Sequence, residues 1–313
     1  MGVLLRLDDR VNEENVGDIP LVKYAAQYWV DHARFEKVAS RIRDAMEYFF
    51  DADKSHWGAW CKVQMIDESW PSFFTTTSQG GFPLYYASLG GFYDLAEHLV
   101  GKHPEHINAR GGQMETPLVA ALHGKHFEVA EILHQNGADV EIRDASEDPL
   151  LREACKGGFP EIVQWLLIHG ADANAQGLSW PPLTVAAGYG QLEEVQMLIE
   201  YNADIHSRNN TGITPLHAAA SRRDRDHINI MQVLLDHGAN PNARDESNST
   251  PLHRSSWYAG RNSGGTPEGT RLLLKHGATI DAEDNEGRTP LQLALERGRD
   301  DIVTCLKEHG ATR

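Results

Sequence analysis

Thr214-Pro215-Leu216-His217-Ala218-Ala219-Ala220 decides the fold, because the chain says nearly the same thing six more times. The other copies begin Phe82-Pro83-Leu84, Thr116-Pro117-Leu118, Asp148-Pro149-Leu150, Pro181-Pro182-Leu183, Thr250-Pro251-Leu252-His253 and Thr289-Pro290-Leu291. Their prolines are 34, 32, 33, 33, 36 and 39 residues apart. Each copy reads as the start of a helix. The threonine hydroxyl can cap the first turn, and proline in that turn costs no hydrogen bond. Leucine and the following alanines face inward, and the small alanines let neighbouring helices approach closely. A turn and a longer amphipathic helix follow, with Val163, Leu166 and Leu167, or Ile230, Val233 and Leu234, on one face. Gly137-Ala138-Asp139 and its equivalents at 170, 238, 277 and 310 end that helix, with Asn202 in place of glycine in the fourth copy. The two long intervals place short insertions near Ser221–Asn229 and Tyr258–Thr270, in the turn between the helices.

A helix-turn-helix unit of about 33 residues opening on Thr-Pro-Leu-His resembles the ankyrin-repeat family. The resemblance covers residues 82–313 and implies an all-α solenoid of seven repeats, a stack that presents a surface. The organisation expected is a flexible tail at 1–18, a helical subdomain at 19–76 and the repeat domain at 77–313. In the middle segment, Leu21, Ala25, Tyr28, Trp29 and His32 recur at helical spacing. Phe35, Val38, Ile42, Met46 and Phe49 form a second such face, and Trp57, Trp60, Cys61 and Gln64 a third. Residues 67–81 read as a loop.

A second resemblance spans residues 20–140. It rests on the run from Pro20-Leu21-Val22-Lys23-Tyr24 to Asp31-His32-Ala33, and on Met46-Glu47-Tyr48-Phe49-Phe50-Asp51 and Pro83-Leu84-Tyr85-Tyr86-Ala87-Ser88. These are similar to the region joining a NACHT nucleotide-binding domain to the ankyrin array in large fungal receptor-like proteins. The resemblance implies the sensor half of a signal-transducing ATPase. No phosphate-binding Gly-x-x-x-x-Gly-Lys-Ser/Thr occurs in the sequence itself.

The formal net charge of −16 repels phosphate backbones and anionic lipid, so neither nucleic acid nor a membrane surface is expected as a partner. No apolar run approaches the roughly 20 residues that span a bilayer. Cys61, Cys155 and Cys305 are isolated in sequence and read as reduced thiols of an intracellular protein, cytoplasmic with a nuclear location also open. Of the sixteen histidines, His169, His237, His276 and His309 precede the helix-closing position, where they suit the helix C-terminus. His217 and His253 belong to the repeat motif. The pairs His103/His106 and His123/His126 have i,i+3 spacing, but no cysteine or acidic partner repeats beside them, so no metal or other cofactor is expected. Neither a nucleophile elbow nor a dinucleotide fingerprint is present, and no enzymatic activity is expected.

The expectation is therefore a monomeric recognition module that binds a protein on its concave face. In the family, residues of the first helix that do not serve packing line that face. Aligning the copies gives Tyr86, Arg152, Tyr189, Arg222, Arg254, Trp257, Tyr258 and Arg297, and the preceding turns add Trp180, Ile213 and Asn248. Aromatic residues and arginine dominate interface energetics. A substrate-recruiting or regulatory subunit of an enzyme complex, such as a ubiquitin ligase or a phosphatase, is the alternative role.

Overall fold

The computed structural model describes residues 82–312 apart from 112–114, 145–146, 178–179, 223 and 258–266. The three helices expected within residues 20–65, the loop expected at 67–81 and Tyr258 lie outside the described residues. Among the described residues there are fourteen α-helices in seven consecutive pairs and no strand; a lone antiparallel bridge joins Arg143 and Pro149. The described residues fall into two compact units that meet between Val140 and Glu141.

The first unit holds two pairs, α1 (Pro83–Gly90) with α2 (Tyr93–Lys102) and α3 (Pro117–His123) with α4 (Phe127–Gln135). The second holds five. They are α5 (Leu150–Gly157) with α6 (Pro160–Ile168), α7 (Pro182–Tyr189) with α8 (Leu192–Glu200), α9 (Pro215–Ala220) with α10 (Arg225–Asp236), α11 (Pro251–Trp257) with α12 (Glu268–Lys275), and α13 (Pro290–Glu296) with α14 (Asp300–Glu308). Within each unit the first helices of successive pairs pack on one another, and so do the second helices. The result is two helical layers, the arrangement of an ankyrin-repeat solenoid.

The motif works as its chemistry requires. The Oγ1 atoms of Thr116, Thr214 and Thr289 accept hydrogen bonds from the backbone N–H three residues on, closing the first turn. Thr214 and Thr289 complete capping boxes in which His217 and Gln292 bond back to the cap residue. Leu84, Leu118, Leu151 and Leu166 are fully buried, and each contributes roughly 1.5–3 kcal/mol by leaving water. Neighbouring pairs are also tied through polar side chains. Asn242 Nδ2 donates to Gly277 O (2.9 Å) while its Oδ1 accepts from Thr279 N (2.7 Å). Asn174 repeats that bridge to Asn202 and Asp204, and Asn108 makes it to Gly137 and Asp139 within the first unit. The helix-closing position needs a left-handed backbone. Gly170 takes it at φ 90°, and Asn202 takes it at φ 61°, as its short amide permits.

The third repeat departs from the sequence reading by one residue. Pro149, not Asp148, is the cap (φ −62°, ψ 145°), and Leu150 opens the helix. Ala154 and Cys155 therefore fill the small inward positions five and six residues past the cap, both buried, and Glu153 stands four past it, where repeats two and five carry Ala120 and Ala218.

Candidate partner-binding surface

Counting from each cap residue gives all seven first helices one register. Three residues past the cap stand Tyr85, Val119, Arg152, Thr184, His217, His253 and Gln292, which face inward or brace the cap. Eight residues past it stand Gly90, Gly124, Gly157, Tyr189, Arg222, Tyr258 and Arg297. The switch from glycine to a large side chain has a steric cause. A Cβ on Gly90, Gly124 or Gly157 would come within 2.4, 2.6 or 2.3 Å of the ring of Phe92, His126 or Phe159, which lies two residues further on. In repeats four and seven that later residue is Gln191 or Arg299, and Tyr189 or Arg297 projects outward instead.

This register sorts the expected contact residues. Tyr86 is only 8% exposed and packs edge-on against Tyr85, with ring centroids 5.1 Å apart. Arg152 was aligned one position out. It stands at the brace position, its side chain 11% exposed, paired with Asp148 at 3.0 Å and with Glu153. Ile213 is buried at the turn. Asn248 is a turn residue in the left-handed region (φ 60°) whose amide donates to Glu283 O at 3.2 Å. Trp180 is half-buried and folds back onto α7, its ring 3.6 Å from where a Cβ on Gly188 would stand. These five are explained by the fold. Tyr189 is 58% exposed, and Arg222 and Arg297 are exposed.

Arg254 and Trp257 line a groove of about 400 Å³ between repeats six and seven, and Arg297 lies against the Trp257 ring. The Arg297 guanidinium carbon lies 3.4 Å from the centre of the Trp257 ring, and that of Arg288 lies 5.5 Å from it. Both are within cation–π range, worth roughly 0.5–1 kcal/mol each at an exposed site. Arg254 Nη2 donates to Asp245 Oδ2 at 2.6 Å. Arg288 donates through Nε and Nη2 to Asp284 Oδ2, at 3.1 and 2.9 Å, and its Nη1 pairs with Glu286 at 2.8 Å. Burial would raise the Asp284 carboxyl, but hydrogen bonds from the Arg288 backbone and side chain outweigh it and hold the group below the usual carboxylate range. The tryptophan is thus flanked by two arginines, one of which, Arg288, is itself held by Asp284 and Glu286, so that side of the ring has less side-chain freedom to lose when something binds. Arg288 was missed in the sequence, because it precedes Thr289 in a turn whose counterparts are Ser249 and Ile213.

The motif histidines are accounted for. His217 Nε2 donates to Ser249 O and His253 Nε2 to Arg288 O, each at 3.1 Å. His169, His237 and His309 bond backward through Nδ1 to the carbonyl four residues earlier. Cys155 and Cys305 are buried thiols, their acidity suppressed chiefly by burial. No described helix is long and apolar enough to cross a membrane.

Paired helices, shared caps and a register repeated seven times define a repeat protein built for recognition. The chain belongs to the ankyrin-repeat family, whose description "Ankyrin repeats (3 copies)" matches residues 84–177, 150–245 and 183–284. Ankyrin repeats are protein–protein interaction modules. Among curated proteins the chain is similar to ankyrin repeat protein nuc-2 of Neurospora crassa, 35% identical over 150 residues, which is 47% of this chain and 14% of that protein. It is similar to alpha-latrocrustotoxin-Lt1a of Latrodectus tredecimguttatus, 30% identical over 166 residues, 48% of this chain and 11% of that one. It is also similar to ankyrin repeat and SOCS box protein 11 of Danio rerio, 35% identical over 115 residues, 36% and 37% of the two chains. The chain thus spans well under half the length of these relatives.

Proposed function

We propose that the chain recognises a protein partner, without catalysing a reaction, through the first-helix face of repeats four to seven. The braced Trp257 beside its groove is the observation that carries this reading. Tyr189, Arg222 and Arg297 extend the same register position along the face. The finer setting proposed is the ligand-sensing or scaffold part of an intracellular NACHT-type signalling protein, on the resemblance of residues 20–140. The alternative is substrate recruitment or regulation within an enzyme complex such as a ubiquitin ligase or a phosphatase, and similarity to a SOCS box protein favours it.

Affinity capture from native extract with the full chain, followed by mass spectrometry, tests both. Trp257→Ala combined with Tyr189→Ala should abolish capture, since truncating an interface anchor typically costs about 2 kcal/mol or more. Helical circular dichroism should survive. Capture that persists in the double variant refutes this surface. A nucleotide-binding signalling protein among the captured partners supports the sensor reading, and ligase or phosphatase subunits support the alternative.

A further inference from the structure

The turn after α2 gathers two imidazoles and a carboxylate. His103 precedes a single 3₁₀ turn, Pro104–His106, closed by His106 N–H donating to His103 O at 3.0 Å. Side chains three residues apart eclipse in this conformation, and proline at its start fixes the backbone. The two imidazoles accordingly stack, with ring centroids 5.2 Å apart and planes inclined by 17°. Phe82 stacks on His106 from its own repeat at 4.2 Å. Glu105, between the two histidines in sequence, turns back onto both. Its Oε1 lies 3.2 Å from His103 Nδ1 and 4.0 Å from His106 Nε2. The sequence reading found no acidic partner for this pair, but the turn supplies one.

We propose that His103, Glu105 and His106 form a surface site for a divalent transition-metal ion of the zinc class, with one coordination position open. All three donor atoms lie within 4.8 Å of one another. Ligands about 2.1 Å from a tetrahedral ion stand about 3.4 Å apart, so the two shorter separations already bracket the required spacing. Two imidazoles and one carboxylate are a donor set that zinc takes when a fourth position is left for water or another ligand. Binding requires each ring to turn about χ2, a soft torsion, so that its lone pair points at the ion. That rotation gives up part of the stack on Phe82. The other convergence of this kind among the described residues, Asp144, Asp148 and Glu153, differs in a decisive way, because the Arg152 guanidinium already occupies it.

The test is calorimetric titration of the full chain with ZnCl2, repeated on His103→Gln, Glu105→Gln and His106→Gln. Glu105 is exposed and the two histidines are half-buried, so each fold is checked by circular dichroism. Wild type should bind one zinc ion that these residues hold, and each substitution should weaken it by about tenfold or more, at least the loss seen when an outer-shell partner is removed. Cobalt(II) in place of zinc should give the intense visible absorption of a tetrahedral centre, lost in His106→Gln. Zinc binding that the three substitutions leave unchanged, or no zinc binding by wild type, overturns the proposal.

Discussion

Replacing His217 by glutamine should reverse the order of stability of the two proteins between neutral and acid pH. His217 is fully buried. Its Nδ1 accepts from Thr214 N–H (3.3 Å) and from the Thr214 hydroxyl (2.8 Å), and its Nε2–H donates across the repeat boundary to Ser249 O. These partners require the neutral ring, because a second proton on Nδ1 would meet two donors. Burial is the largest cause of the lowered pKa, which falls from 6.5 to about 4. The unfolded chain therefore binds more protons than the fold between those values, and stability is lost as pH falls through the window. A fall from 6.5 to about 4 corresponds to about 3 kcal/mol. Repeat seven already shows what glutamine does at this position, because Gln292 Oε1 accepts from Thr289 N–H at 2.9 Å and completes the same box. His217→Gln should keep the cap and lose the bond to Ser249, a cost of about 1 kcal/mol above pH 7. Below about pH 6.5 wild type loses roughly 1.4 kcal/mol per pH unit relative to the variant, so the two cross near pH 5.8. By about pH 4 the variant should lead by roughly 2 kcal/mol. Urea denaturation of both proteins, followed by far-UV circular dichroism from about pH 4 to about pH 8, measures the difference, and carboxylates common to both cancel. Curves that stay parallel would refute the reasoning.

Two further outcomes are open to measurement. Lys125 holds a left-handed backbone (φ 56°) where Gly91, Gly158, Gly190 and Gly298 stand in other repeats, so Lys125→Gly should raise stability by about 1 kcal/mol, seen as a higher denaturation midpoint. Glu194 is buried, its Oε1 has no hydrogen-bond partner, and burial foremost, with the charges of Glu193 and Glu161, raises its pKa. The fold thus favours the protonated form, and stability present at acid pH is lost as pH rises through the raised value. Glu194→Gln should therefore stabilise the protein near pH 8 and change little near pH 4 in the same denaturation series.

The helix pairs were legible because each repeat solves one problem with one set of residues. Threonine caps, proline opens, alanine admits the neighbour and glycine closes. Repeat three misled because Asp148-Pro149-Leu150 imitates the motif while the chain uses Pro149 as its cap, as it uses Pro181 in repeat four. The left-handed glycine nine residues past the cap would have fixed the register. It is Gly158 at φ 69°, and counting back nine residues from it reaches Pro149. A side chain such as aspartate can imitate a cap residue in sequence, but a φ of that sign strongly favours glycine, so closing glycines hold the register better than opening prolines do.

Which of the expected contact residues reach the surface was legible only in the later repeats, for a related reason. A variable position in an alignment does not say whether the side chain points out or is consumed by a neighbour. Tyr86 and Arg152 vary because each satisfies a local need, one filling space beside Tyr85 and the other neutralising Asp148. Outward projection depends on what stands two residues further on, where a ring in repeats one to three closes over a glycine. Repeats four and seven lack that ring, and their large side chains are left to the surface. Trp257 then shows why charge had to be read together with shape. Its neighbours Arg288 and Arg297 come from the next repeat, and Arg288 is placed by Asp284, a turn residue that also accepts from the backbone N–H groups of Glu286 and Arg288. The carboxylate that shapes the turn thus also steadies the arginine, and through it the ring. A substitution at Asp284, which lines the groove, would free Arg288 as well and so loosen the ring that Arg288 flanks.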